Sequence, residues 1–221
     1  MKKRRISARS VERLSIYRRA LLSGGHELGA SVYSHELAQS CQLTAAQVRR
    51  DLMAIGYRGN PNRGYDVKRL LGSLATFLDS QATRAVAIVG MGYLGRAIAA
   101  FLANRSNKIR LEAAFDVDLD KIGLSFSDVR CYSVRELAEV LAEKRIDIGI
   151  ITVPAEQAQR VAEQLLAAGV TGILNFAPVV LRLPARIYVE NIDMSVALEK
   201  VAFFARPGQL RKARGASPTT P

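Results

Sequence analysis

The six residues Gly90-Met91-Gly92-Tyr93-Leu94-Gly95 have the types and spacing to hold a dinucleotide phosphate. In such a G-x-G-x-x-G turn the first glycine permits the tight turn and the second lets backbone approach a pyrophosphate. The third lets the following helix pack on the strand. Free amides and the positive dipole end at the helix start then favour the anion. The flanks agree. "RAVAIVG" is a continuous apolar run, as in a buried parallel strand. "LGRAIAAFLANR" is an amphipathic helix, and "IRLEAAFDVD" is a second strand ending in acid. Asp116, 21 residues beyond Gly95, is placed to accept hydrogen bonds from an adenosine ribose. It would repel a 2′-phosphate, so NAD(H) is expected over NADP(H). Asp118 and Asp120 stand close enough to exchange that role.

Residues that could do chemistry on a bound substrate are scarce. Hydride transfer usually needs a proton donor or acceptor beside the carbonyl. Both histidines, His26 and His35, lie far upstream of the glycine turn, and no tyrosine has a lysine four residues later. Cys41 and Cys131 are widely separated and are expected to be free thiols in a reducing cytoplasm, with no metal site. Cys131, in the strand-like "DVRCYS", suits a small buried hydrophobe. No apolar run reaches the ~18 residues of a membrane span. The expected role of the nucleotide is therefore to be sensed, not turned over. An oxidoreductase with a basic appendage is the alternative from another class.

The elements around the turn alternate. "SVRELAEVLAEK" and "AEQAQRVAEQLLAAG" read as helices; "IDIGIITVP" and "VTGILNFAPVVL" read as strands. That pattern predicts an α/β, Rossmann-like parallel sheet with its ligand at the carboxyl ends of the strands. Thr152, Val153, Pro154 and Asn175, Phe176, Ala177, Pro178 sit at such ends and are candidates to line the nicotinamide half, although plain packing is the commoner fate of Phe176 and Pro178.

The formal net charge of +12 is concentrated at the two ends of the chain. Residues 1–84 hold 15 Lys/Arg against 6 Asp/Glu, and residues 85–205 hold 13 against 14. A basic N-terminal module points to a polyanion. Ser10 is expected to cap a first helix carrying Val11, Leu14, Tyr17, Leu21 and Leu22 on one side, and Ser34 a short second one. Thr44 and Gln47 form a T-x-x-Q capping box for a third, which Gly56 ends. Val48, Leu52 and Ile55 share its apolar face; Ala46, Gln47 and Arg50 lie opposite, with Arg49 at the flank. This is a helix-turn-helix pattern in which Gln can pair with adenine and Arg with guanine. "YRGNPNRGYDV" suits a hairpin wing whose Arg58 and Arg63 reach phosphates or the minor groove. A small helical bundle with a solvated basic face is the bland alternative.

The segments "LTAAQVRRDL", "VAIVGMGYLGRAI", "AAFDVDLDKIG", "GVTGILNFAPVVL" and "VENIDMSVALEKVAFF", in this order, resemble the Rex family of redox-sensing transcriptional repressors. The resemblance implies a homodimer that binds inverted-repeat operator DNA when NADH is low and leaves it when NADH binds. It implies a winged helix-turn-helix domain over residues 1–80 and a Rossmann domain over 84–190. From its small, polar, Pro-rich composition the basic tail over 207–221 is expected to be disordered, and the resemblance implies that a C-terminal helix over 191–206 is swapped onto the partner. It further implies that Asp193 pairs with an arginine of the first helix, for which Arg19 is the match by spacing, and that Met194 enters the partner's nicotinamide pocket. The chain departs from the family pattern at Pro61, where the wing usually has arginine, and at Phe101, where some relatives have tyrosine. A DNA-binding protein with a degenerate nucleotide fold is the third reading.

Overall fold

In the computed structural model, residues 6–24, 30–60, 62–79, 83–104 and 108–206 are described. His26, Pro61 and the basic tail over 207–221 lie outside the described residues. The chain divides into two compact units, Met1–Ala82 and Thr83–Pro221.

The first unit is built from α1 (Ala8–Ser23), β1 (Ser31–Val32), α2 (Ser34–Ser40), α3 (Ala45–Ala54), β2 (Tyr65–Asp66) and α4 (Val67–Leu78). β1 and β2 pair antiparallel, Val32 opposite Tyr65. The N-cap of α1 is Ser7, which accepts the N–H of Ser10, so the helix starts one turn-step earlier than the sequence suggests. Its buried line is Leu14, Tyr17 and Leu21, while Val11 and Leu22 face outward. Tyr33, not Ser34, is the N-cap of α2, and Glu36 accepts the Tyr33 N–H at 2.7 Å. Asp66 caps α4, whose Val67, Leu70 and Leu74 complete the core with Leu14, Val48 and Leu52.

The second unit is a seven-stranded sheet in the order β5-β6-β4-β3-β7-β8-β9. Its strands are β3 (Arg84–Val89), β4 (Ile109–Asp116), β5 (Ser125–Phe126), β6 (Val129–Ser133), β7 (Ile148–Ile151), β8 (Gly172–Asn175) and β9 (Tyr188–Asn191). Only β5 runs antiparallel, pairing with β6. The parallel strands, numbered among themselves, have the 3-2-1-4-5-6 order of dinucleotide-binding folds. The helices are α5 (Tyr93–Ala103), α6 (Leu137–Glu143), α7 (Ala155–Ala167) and α8 (Met194–Phe204). One core, with Val89, Phe115, Leu141, Ile151 and Leu165, packs one side of the sheet. The other holds Val86, Ile88, Ala99, Ala114 and Cys131.

Within "VTGILNFAPVVL" the strand runs to Asn175 and leaves the sheet there, at the end the sequence leads one to expect. Residues 176–187 form an irregular crossover with Pro178 and Pro184, and the chain re-enters the sheet as β9. Proline cannot donate to a ladder, which fits the stop. α8 has no buried residue; Met194, Val196, Leu198, Val201, Phe203 and Phe204 are all exposed.

Candidate nucleotide site and nucleic-acid interface

β3 ends at Val89 and the glycine turn leads directly into α5, whose N-cap is Gly92. Gly90 has φ +102, and a Cβ there would stand 2.9 Å from Thr152 carbonyl oxygen. A Cβ on Gly95 would stand 2.0 Å from the Gly90 carbonyl oxygen. These two glycines are required by the turn and by close packing of α5 on the sheet. Gly92 differs: a Cβ there would meet nothing within 4 Å. Protein packing leaves its missing side chain without a reason, whereas a pyrophosphate against its backbone supplies one. The residues therefore fit a dinucleotide.

Asp116, 7% exposed at the end of β4, faces this turn. Its Oδ2 accepts the Met91 N–H at 2.7 Å and Lys121 Nζ at 3.2 Å; its Oδ1 accepts the Asp118 N–H at 2.9 Å. Burial opposes the charge, but these hydrogen bonds and the Lys121 cation hold the carboxyl below its usual range. Burial likewise works against the Lys121 charge, and its contacts with Asp118 and Asp116 outweigh it and raise its pKa. Lys121, five residues past Asp116 within "AAFDVDLDKIG", carries no local signal for this role until the turn after β4 brings it to the carboxylate. Burial first, then Asp116, raises the Cys131 thiol to about 11.

The other strand-end residues divide. Thr152 donates its hydroxyl to the carbonyls of Gly90 at 2.7 Å and Val89 at 3.1 Å, bracing the turn. Val153 packs against the core, and Pro154 caps α7. Asn175 is fully buried. Its Nδ2 reaches the carbonyls of Ala177 and Val179 and Asn191 Oδ1, and its Oδ1 accepts the Ala177 N–H. It folds the loop that carries Ala177, which is buried, and Pro178, which is exposed; Phe176 packs against the second core. Tyr93 is 90% exposed, beside the Arg96 guanidinium at 5.4 Å from its ring; Leu94 is half-buried.

In the first unit Thr44 caps α3 through the Gln47 N–H at 3.2 Å. The reciprocal half of the expected capping box is absent, because the Gln47 side chain turns instead to Asp51 and Arg50. Ala46, Arg49 and Arg50 are exposed on α3, as are Arg58 and Arg63 on the wing. Arg49 and Arg58 line one groove of about 450 Å³ with Tyr33, Met53, Tyr57 and Asn60, so α3 and the segment before β2 present cations on one surface. Asn60 pairs with Gly64 across the wing tip, and its side chain accepts the N–H of Asn62 and Arg63. Arg19 is exposed on α1, and Asp193 Oδ1 caps α8 through Ser195 and Val196 N–H. Among the described residues no helix is long and apolar enough to cross a membrane, and no group of three His, Cys, Asp or Glu is placed to hold a metal ion.

These two units define a class: a winged helix-turn-helix protein carrying its own Rossmann nucleotide domain. A family model described as "CoA binding domain" matches residues 81–179, and one described as "Putative DNA-binding protein N-terminus" matches residues 5–52. The redox-sensing transcriptional repressor Rex of Lactobacillus acidophilus is 37% identical over 92% of this chain and 97% of its own. That of Carboxydothermus hydrogenoformans is 39% identical over 93% and 99%. The crystal structure of RSP, a Rex-family repressor, superposes with a TM-score of 0.83 at 32% identity, covering 94% of this chain and 98% of RSP. RSP in complex with β-NAD+ and operator DNA gives 0.84 at 31% identity, covering 97% and 100%. The chain belongs to the Rex family of redox-sensing transcriptional repressors.

Proposed function

We propose that this protein is a cytoplasmic, homodimeric repressor that reads the NADH/NAD+ balance, with NADH binding releasing it from inverted-repeat operator DNA. It is a regulator, and the nucleotide is its signal. The observation that carries the reading is the open space at Gly92, between two sterically required glycines, in a chain whose other unit is a basic winged helix. A relative aligned over its whole length has been crystallised with β-NAD+ and operator DNA, and the same repressor with β-NADH.

Gly90, Gly92 and the first-turn amides of Tyr93, Leu94 and Gly95 would hold the pyrophosphate. Asp116 would receive the adenosine ribose, with Met91 held by Asp116 to fix the turn. Thr152, Val153, Pro154 and the 175–178 loop would border the nicotinamide half. Thr44, Ala46, Gln47, Arg49 and Arg50 would meet the major groove, and Arg58 and Arg63 the flanking backbone. The exposed apolar residues of α8 support a helix that is covered by a second copy, with Met194 and the Arg19–Asp193 pair forming the switch.

The mechanism is a shift of population: NADH binds the DNA-incompetent dimer more tightly than the competent one. NAD+ competes for the same site, so the ratio is read. The test is fluorescence anisotropy of a labelled promoter duplex without nucleotide, with NAD+ and with NADH. Loss of binding with NADH alone supports the reading; equal binding in all three overturns it.

A further inference from the structure

A chain of charge-assisted hydrogen bonds runs from the core of the first unit to its outward face, and none of the roles above uses it as a whole. Arg13 of α1 donates from Nε to Asp51 Oδ2 at 2.6 Å and from Nη2 to Oδ1 at 2.8 Å. The Tyr17 hydroxyl donates to Oδ2 at 2.9 Å. Asp51 is 3% exposed, on the inner side of α3. On its other side Gln47 Nε2 donates to Asp51 Oδ1 at 3.0 Å, and Gln47 Oε1 accepts Arg50 Nη2 at 2.8 Å. The spacings are i,i+4 and i,i+3, so both contacts lie along one strip of the helix.

Chemistry fixes the direction of this chain. An ionised carboxylate only accepts and a guanidinium only donates. The Gln47 carboxamide between them must therefore turn its NH2 to Asp51 and its oxygen to Arg50. Burial opposes the Asp51 charge, but hydrogen bonds from Arg13, Tyr17 and Gln47 keep its carboxyl below the usual range, so the acceptor is present at neutral pH. Bidentate reading of adenine needs both ends of the Gln47 amide at once. Here one donor and one lone pair of that amide are already engaged and fix its orientation, and the anchor is a part-buried ion pair whose disruption is costly. Arg50, by contrast, spends one of five donors on Gln47 and is exposed.

We propose that Gln47 is a positioning residue for Arg50. Held by the Arg13–Asp51–Tyr17 cluster, it sets the guanidinium on the outward face of α3 before DNA arrives, and Arg50 makes the specific contact. A pre-set long side chain loses less rotamer freedom on binding, and a fixed fork selects one base edge. This rests on the reading of α3 as the helix that meets DNA.

The probe is the duplex that the intact full-length protein recovers from a pool of randomised 30-bp DNA. Its affinity is measured by anisotropy for the unsubstituted protein, Gln47→Leu, Arg50→Ala and the double variant. Gln47→Met serves as a second apolar replacement, and thermal unfolding checks that each variant folds. Arg50→Ala is expected to weaken binding roughly tenfold to a hundredfold, the range of a good bidentate contact. Gln47→Leu and Gln47→Met should weaken it roughly threefold to tenfold, the worth of a hydrogen bond. The double variant should bind no worse than Arg50→Ala. Reselection with Gln47→Leu should return the same preferred base, less sharply. Losses that multiply in the double variant, or a changed preference at a base that Arg50→Ala leaves alone, would show Gln47 reading DNA itself and overturn the proposal. Arg50→Ala binding as the unsubstituted protein does would overturn the reading of α3 instead, and the proposal with it.

Discussion

Asp116 Oδ2 accepts the backbone N–H of Met91 at 2.7 Å, so the acid that ends β4 holds the glycine turn that ends β3. The residue expected to receive the ribose therefore also shapes the seat of the pyrophosphate. Asp116→Ala removes both functions. A hydrogen bond to a charged group is worth about 1.5–3 kcal/mol, so NADH affinity should fall at least tenfold, with a lower thermal midpoint. Titration calorimetry and thermal unfolding read the two effects. Unchanged affinity would reject the assignment.

The glycines of the turn should separate in the same two measurements. Gly95→Ala places a Cβ 2.0 Å from the Gly90 carbonyl oxygen, and unfolding should come several degrees earlier, as expected for overpacking of about 1–3 kcal/mol. Gly92→Ala meets open space, so its thermal midpoint should hold while nucleotide binding is lost. Retained binding in Gly92→Ala would count against a phosphate at that position.

The buried carboxylate of the first unit gives an acid limb to stability. Its pKa in the folded protein is lowered, so Asp51 stabilises fully above the free value of 3.8, and the contribution is lost as pH falls through the lower folded value. Asp116 shares this window. Asp51→Asn should flatten part of the fall in thermal midpoint below about pH 4. An unaltered pH slope would show that the Arg13–Asp51 pair is not maintained in solution.

Leu198, 69% exposed on α8, tests the covered-helix reading. Leu198→Asp places a charge where the partner surface should lie. Sedimentation should show monomer at concentrations where the unsubstituted protein is dimeric. A dimer that persists would point to another interface.

The switch assigned by resemblance has its own test. Arg19→Ala and Asp193→Ala should each leave operator affinity without nucleotide close to normal while weakening release by NADH. Asp193→Ala should also lower stability by about 1 kcal/mol through loss of the α8 cap. Unaltered NADH-dependent release in both variants would remove the pair from the mechanism.

The sequence made some of this legible because local chemistry and tertiary structure agree. The apolar run before Gly90, the glycine spacing and the acid at Asp116 each carry their own reason. The misses come from residues whose roles depend on distant partners. Asp51 reads as a polar residue on a basic helix until α1 brings Arg13 and Tyr17 to it. Asn175 reads as a strand-end residue, and its second role, holding the 176–187 loop through the carbonyls of Ala177 and Val179, needs the fold to be seen. β9 is a short strand whose pairing lies across that loop. α4 is a different case: its Asp66 cap and its leucines at helical spacing are local signals, and they follow directly on the strand Tyr65–Asp66.

Gly90 and Gly95 are needed for α5 to sit on the sheet whether or not a nucleotide arrives, and only Gly92 is left unclaimed by the protein itself. A lineage that gave up its ligand would still keep the first and last glycines under selection. Drift confined to the middle one is the scar such a loss would leave in a descendant.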